Sequence, residues 1–133
     1  MIVVDTNVLA YLWLPGERTK AAERLLKKDS DWNAPMLWRS EFRNVLAGCL
    51  RRGDVSLETA LQIVEGAEGQ MRGREFSVPS PQVLARVEES DCSAYDCEFV
   101  ALADDLDLPL VTTDEKILRE FPKIAVPLKE FVS

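Results

Sequence analysis

Short apolar runs, each followed by a longer stretch of helical periodicity, recur along this chain. That alternation restricts it to a parallel α/β sheet. The runs predict five strands, at Ile2–Val4, Trp32–Met36, Phe76–Val78, Leu108–Thr112 and Ile124–Val126. A first, very apolar helix spans Val8 to Leu14 and stops at Pro15-Gly16. Thr19 to Lys28 is amphipathic. A strong helix from Leu37 to Arg52 carries Trp38, Phe42, Val45, Leu46 and Cys49 at helical spacing and ends at Gly53, a natural residue just past a helix. Ser56 caps the next helix, whose stripe runs from Ala60 to Ala67; the stretch from Gly66 to Arg74 is expected to loosen. Further helices are expected from Ser80-Pro81 to about Glu89, from Ser93 to about Leu106, and over Glu115–Glu120. Crossovers between parallel strands are nearly always right-handed, so helices should cover both faces of the sheet. No repeat, low-complexity tract or linker interrupts the chain, and residues 1–133 are read as a single domain.

The chain contains no histidine. That excludes a Ser-His-Asp triad, a Cys-His nucleophile pair and histidine-ligated zinc together. Its three cysteines, Cys49, Cys92 and Cys97, are odd in number and lack the CxxC spacing, so neither a disulfide framework nor a four-cysteine metal site is expected. Any chemistry falls to carboxylates, hydroxyls, Lys and Arg, or to a metal held by carboxylates. A formal charge of −7 argues against a protein that coats nucleic acid through phosphate attraction. It leaves room for a nuclease whose acids are concentrated at a metal site. No apolar run approaches the roughly 20 residues needed to span a bilayer. The opening Met1-Ile2-Val3-Val4-Asp5 lacks the basic start and cleavage site of a signal peptide. A cytoplasmic protein with no membrane partner is expected.

Ligands of open parallel sheets sit beyond the carboxyl ends of the strands, near the point where strand order reverses. Asp5 directly follows the first predicted strand, and Asp114 follows the fourth through Thr112-Thr113. Both positions equally suit a helix N-cap. Asp96 is more pointed. At about 100° per residue, its helix turns an apolar arc of Leu102, Tyr95, Leu106, Phe99, Ala103 and Val100, and Asp96 falls between Ala103 and Val100. Ser93-x-x-Asp96 also reads as a capping-box variant, but a cap does not require an inward acid. Glu98, Asp104 and Asp105 point away and are expected in solvent. Glu41 lies beside the edge of its helix's apolar stripe, where a boundary glutamate reaching out to water is the competing reading. Four acids gathered at one end of a sheet repel one another unless cations intervene. Oxygen donors without histidine suit Mg²⁺ or Mn²⁺ rather than zinc.

Asp5-Thr6-Asn7-Val8-Leu9, Glu41 within a helix, Tyr95-Asp96-Cys97-Glu98-Phe99-Val100-Ala101-Leu102-Ala103 and Leu110-Val111-Thr112-Thr113-Asp114 together resemble a PIN domain. The size is most similar to the VapC-type ribonuclease toxins of prokaryotic toxin–antitoxin pairs. The resemblance implies a five-stranded parallel sheet and an acidic pocket binding Mg²⁺ or Mn²⁺, as one or two ions. By position, Asp5 and Asp96 would be the principal metal ligands, and Glu41 and Asp114 would complete the pocket. Thr6, Asn7 and Thr113 would orient ligands or water. The implied activity is cleavage of structured RNA such as tRNA or rRNA, with Arg39 and Arg43, and Arg72 or Arg74, as candidate phosphate clamps. The resemblance also implies a homodimer held inactive by a small antitoxin. The surplus apolar surface of the helices around Val8–Leu14, Trp38–Leu50 and Leu57–Val64 is consistent with such association. An inhibitor's basic side chain entering the acidic pocket would pair with carboxylates.

Two other classes share an Asp after the first strand. An aspartyl-phosphate phosphoryl-transfer enzyme usually needs a second Asp two residues on, where this chain has Asn7. A receiver-like binding module wants an acidic pair near the end of the first strand, where Asp5 stands alone.

Overall fold

A computed structural model describes residues Met1–Ser133. The chain folds into a five-stranded sheet, β1 (Ile2–Val4), β2 (Trp32–Pro35), β3 (Glu75–Phe76), β4 (Leu110–Thr112) and β5 (Ala125–Pro127). The spatial order is β3-β2-β1-β4-β5, and every neighbouring pair is parallel. Ile2 lies opposite Trp32, and Val4 opposite Val111, so β1 is central. From β1 the chain builds outward to β2 and β3, then returns across the sheet to β4. The order therefore reverses between β1 and β4, which opens a crevice at their carboxyl ends.

Every residue of β1, β2 and β4 is buried. Successive strand residues face opposite sides, so strands buried at each position are covered on both faces. The helices are α1 (Thr6–Trp13), α2 (Thr19–Lys28), α3 (Trp38–Arg52), α4 (Leu57–Met71), α5 (Ser80–Glu88), α6 (Ala94–Leu106), α7 (Glu115–Glu120) and α8 (Leu128–Val132). Helix α6 packs across β1, β2 and β4 and carries α5, whereas α1 gathers α2, α3 and α4 around itself. Trp32, Trp38, Phe42, Leu9 and Leu25 are among the largest fully buried side chains of the core. Helix α3 ends as its sequence predicts, with Gly53 in the left-handed region at φ 78° donating its N–H to Cys49 and Leu50 carbonyls.

Several boundaries depart from the sequence reading. The edge strand β3 is Glu75–Phe76, not Phe76–Val78. Its partner β2 ends at Pro35, and after Met36 donates to the Phe76 carbonyl the neighbouring chain turns into α3. Nothing remains for Ser77 and Val78 to pair with. Strand β4 starts at Leu110 because the Leu108 N–H closes the end of α6 on the Ala103 carbonyl and Pro109 has no N–H. Likewise the Ile124 N–H is engaged in a turn with Phe121, and β5 begins one residue later.

The stretch from Gly66 onward does not loosen: α4 continues through Gly66 and Gly69 to Met71. Gly66 is where the Trp13 indole meets α4, and a Cβ there would stand 2.5 Å from the ring. Trp13 Nε1 also donates to Gln70 Oε1 at 2.7 Å, so tertiary contact holds a segment whose glycines would weaken an isolated helix. Helix α8 was not anticipated. Its Phe131 carbonyl accepts from Lys28 Nζ, which also sits 5.2 Å from the centre of the Phe131 ring.

Candidate active site

A cavity of about 430 Å³ opens at the carboxyl ends of β1 and β4, where the strand order reverses. Asp5, Glu41, Asp96 and Asp114 all line it, with Thr6 and Asn7 on the same wall. Four elements far apart in sequence deliver these acids.

Asp5 is both a cap and a buried carboxylate, 6% exposed. Its Oδ1 accepts from the Val8 N–H at 3.1 Å and starts α1. Its Oδ2 accepts from the Thr112 hydroxyl. Burial, joined by the charges of Asp114 and Glu41, pushes the carboxyl up to about 6 against the pull of those two hydrogen bonds. Asp114 likewise caps α7, with Oδ1 accepting from the Ile117 N–H at 2.9 Å. The Thr112 hydroxyl in turn accepts from the Asp114 N–H at 3.0 Å. Thr112, fully buried at the end of β4, thus joins the two strand-end acids.

Asp96 is not the cap of its helix. Ser93 caps α6 by accepting from the Asp96 N–H at 3.1 Å, and the Asp96 side chain lines the cavity. Burial raises its carboxyl, and so does the charge of Asp114; Ser93 and Lys116 partly oppose the rise. Glu41, in the first turn of α3, accepts a 2.7 Å hydrogen bond from the Thr6 hydroxyl. Burial raises it too, with a contribution from Asp96. The couplings close into a ring: Asp5 feels Asp114 and Glu41, Glu41 feels Asp96, and Asp96 feels Asp114. Only Lys116 contributes a compensating charge to any of these groups. As they stand, no three of the acids close tightly enough around one point to cage an ion, as expected of like charges held apart. The donor set is entirely oxygen, which suits a hard divalent cation.

Three further expectations need amendment. Glu98 is half-buried, not solvated: burial raises its carboxyl, and the charge of Glu41 adds to the rise. Asp104, by contrast, is at the surface in an ion pair with Arg86. Thr113 is not against the acids. Its Oγ1 lies 2.8 Å from the Tyr11 hydroxyl, and the inward threonine is Thr112. Sequence reasoning missed Thr112, although a hydroxyl as the last residue of a buried strand was the available signal. None of Arg39, Arg43, Arg72 and Arg74 lines the acidic cavity. Arg39 is held by Glu75 at 2.6 Å and Glu68 at 3.3 Å, Arg43 approaches Glu68 at 3.9 Å, and Arg74 pairs with Asp31. Arg72 is exposed at the end of α4. All three cysteines are free and buried.

Fold and site together define an open parallel α/β protein with a carboxylate-ringed cleft at its switch point. The family model of the PIN domain matches residues 2–124. The chain belongs to the PIN-domain family. It is similar to Ribonuclease VapC3 of Pyrobaculum aerophilum, with 26% identity over 129 residues that cover 95% of this chain and 98% of that protein. Among solved structures, PAE2754 from Pyrobaculum aerophilum superposes with a TM-score of 0.78 at 21% identity, covering 98% of this chain and 92% of the other. FitAcB from Neisseria gonorrhoeae gives 0.75 at 16% identity, covering 97% and 99%. A toxin–antitoxin complex from Klebsiella pneumoniae gives 0.71 at 15% identity, covering 96% and 98%.

Proposed function

We propose that this chain is a Mg²⁺- or Mn²⁺-dependent endoribonuclease that cuts structured RNA, tRNA or rRNA, and that it is the toxin of a toxin–antitoxin pair. The observation that carries the reading is the gathering of four carboxylates, offset by the single cation Lys116, in one cavity of a PIN domain that is similar to a ribonuclease. Asp5 and Asp96 would be the principal ligands of one or two ions, with Glu41 and Asp114 completing the set. Such ions would supply Lewis-acid activation of water and would neutralise charge developing at a phosphodiester. The protein's own part is positioning. Thr112 and the Val8 N–H fix both oxygens of Asp5, Thr6 fixes Glu41, and Asn7 stands on the cavity wall to hold water or substrate. Double acceptance by Asp5 suits a fixed ligand better than the free oxygen a phosphoryl-transfer nucleophile needs.

No helix is long and apolar enough to cross a membrane, and a cytoplasmic location fits the proposed substrate. Two of the solved neighbours bear names of toxin–antitoxin or FitAB assemblies, which supports a small antitoxin as partner. Its basic side chain would enter the acidic cavity, and the toxin would form a homodimer. The deciding experiment incubates purified protein with total bacterial RNA in Mg²⁺, Mn²⁺ or EDTA and maps the new ends. Discrete cuts with metal and none in EDTA are expected. Cutting that persists in EDTA, with Asp96→Asn as active as the wild type, would remove the metal-site reading.

A further inference from the structure

A second cavity of about 680 Å³ adjoins the acidic one and shares Asn7 and Val45 with it. Of the chain's arginines, only Arg18 and Arg52 line this second cavity. Arg52 is paired with Asp54 at 3.0 Å. Arg18 enters no ion pair, although Glu17 lines the same cavity.

Arg18 is nonetheless fixed. Its guanidinium carbon lies 5.3 Å from the centre of the Tyr11 ring, and its Nη1 donates to the Tyr11 hydroxyl at 2.7 Å. A guanidinium can only donate, so the Tyr11 proton remains free for Thr113 Oγ1, 2.8 Å away. Thr113 immediately precedes Asp114. The chain Thr113–Tyr11–Arg18 therefore ties an exposed cation to the strand end that carries one of the four acids. A neutral hydroxyl holds the guanidinium in place while its other donors stay open.

We infer that Arg18 binds a backbone phosphate of the RNA beside the one being cut, and that the second cavity is the path of the flanking strand. This rests on the ribonuclease reading above and deepens it. A planar fork held on a ring suits bidentate contact with phosphate oxygens. An acidic cleavage site repels the RNA backbone, so a pinned cation next to it gives register where the cleft itself cannot.

The test is single-turnover cleavage of total bacterial RNA in Mn²⁺ over a range of protein concentrations. The most strongly cut ends are followed for the half-saturating concentration and the maximal rate. Arg24→Ala, an exposed α2 arginine outside both cavities, controls for the lost charge. Arg18→Ala should raise half-saturation about tenfold over Arg24→Ala, roughly the effect of one charged hydrogen bond, with maximal rate within about threefold. The slope of log affinity against log salt should fall by about 0.7. Arg18→Lys should recover part of the loss. Tyr11→Phe, which keeps the ring and removes the hydroxyl, should fall between the two. Arg18→Ala matching Arg24→Ala, or losing rate without losing half-saturation, overturns the inference while leaving the nuclease intact. A wild type that makes no metal-dependent cuts overturns the ribonuclease reading, and this inference with it.

Discussion

Two clusters of charge flank α3, and they behave in opposite ways. At the edge of the sheet, Glu75 accepts from Arg39 through both oxygens, at 2.6 and 2.8 Å, and from Trp38 Nε1 at 2.8 Å. Arg39 also reaches Glu68, so one guanidinium ties α3 to β3 and α4. These bonds hold the Glu75 carboxyl below its usual range. At the carboxyl ends of β1 and β4, Asp5, Glu41 and Asp96 have no arginine partner, and burial raises all three. The residue types are the same. An acid lowered by a matched cation is held for stability, whereas acids raised together in one cavity are an unmet demand for positive charge.

The strongest way to break this contrast is to neutralise one member of the ring. Asp96→Asn, or Asp5→Asn, is expected to lower metal-dependent RNA cleavage by about 10³-fold or more, comparable to removing a principal charge-stabilising group. Because burial and the charge of Asp114 disfavour the ionised Asp96 more than Ser93 and Lys116 favour it, Asp96→Asn should melt no earlier than wild type in EDTA. An early-melting mutant that cuts RNA normally would show Asp96 to be structural.

The next effect is on stability against pH, and its sign separates the clusters. Asp5 rises on folding from 3.8 to about 6. The folded state holds that proton more tightly, so the stabilisation is complete below pH 3.8 and is lost as pH rises through about 6. The shift corresponds to about 3 kcal/mol in the metal-free protein. Glu75 is lowered on folding, so its contribution is present above its ordinary value of 4.5 and is lost as pH falls through its lower folded value. Melting in EDTA from pH 4 to 8 should show the Asp5 loss, and Asp5→Asn should remove it. Mn²⁺ or Mg²⁺ should restore stability at pH 7 to 8 in wild type and much less in Asp5→Asn.

Glu75→Gln tests the paired cluster directly. It keeps an acceptor for Trp38 but loses the charge facing Arg39, and should cost about 1–2 kcal/mol in denaturant unfolding. Cleavage per folded molecule should stay within about twofold. The smallest expected effect is Thr6→Val, which removes the 2.7 Å bond that orients Glu41. A loss of about fivefold in cleavage, with unfolding changed by no more than about 1 kcal/mol, would show that Thr6 positions Glu41 rather than holding the fold.

Much of this was legible in the chain because it depends on local pattern. Ile2–Val4 reads as a buried strand at once, and Asp5 caps the helix that follows, so its place at a strand end was visible before any packing was known. The apolar arc of α6 put Asp96 inward, where the cavity now lies. Helix α4 shows the opposite case: Gly66 and Gly69 argue locally for a break, and only the Trp13 indole packed against Gly66 explains why the helix continues. The two-residue β3 and the short α8 carry too little pattern to be found, since their partners, β2 and Lys28, are distant in sequence.

The sequence by itself determined which residue types could do chemistry, with histidine excluded, and set four acids at the starts of helices and the ends of strands. Period and capping act within a turn or two of chain, and so they survive in a linear reading. Tertiary structure alone decided which charges meet. It turned Arg39 away to Glu75, set Thr112 rather than Thr113 between Asp5 and Asp114, and brought Glu98 near Glu41. It also left Arg18 on Tyr11 without an acid. Electrostatic partnership depends on a few ångströms between elements separated by tens of residues, and no spacing along the chain encodes that distance.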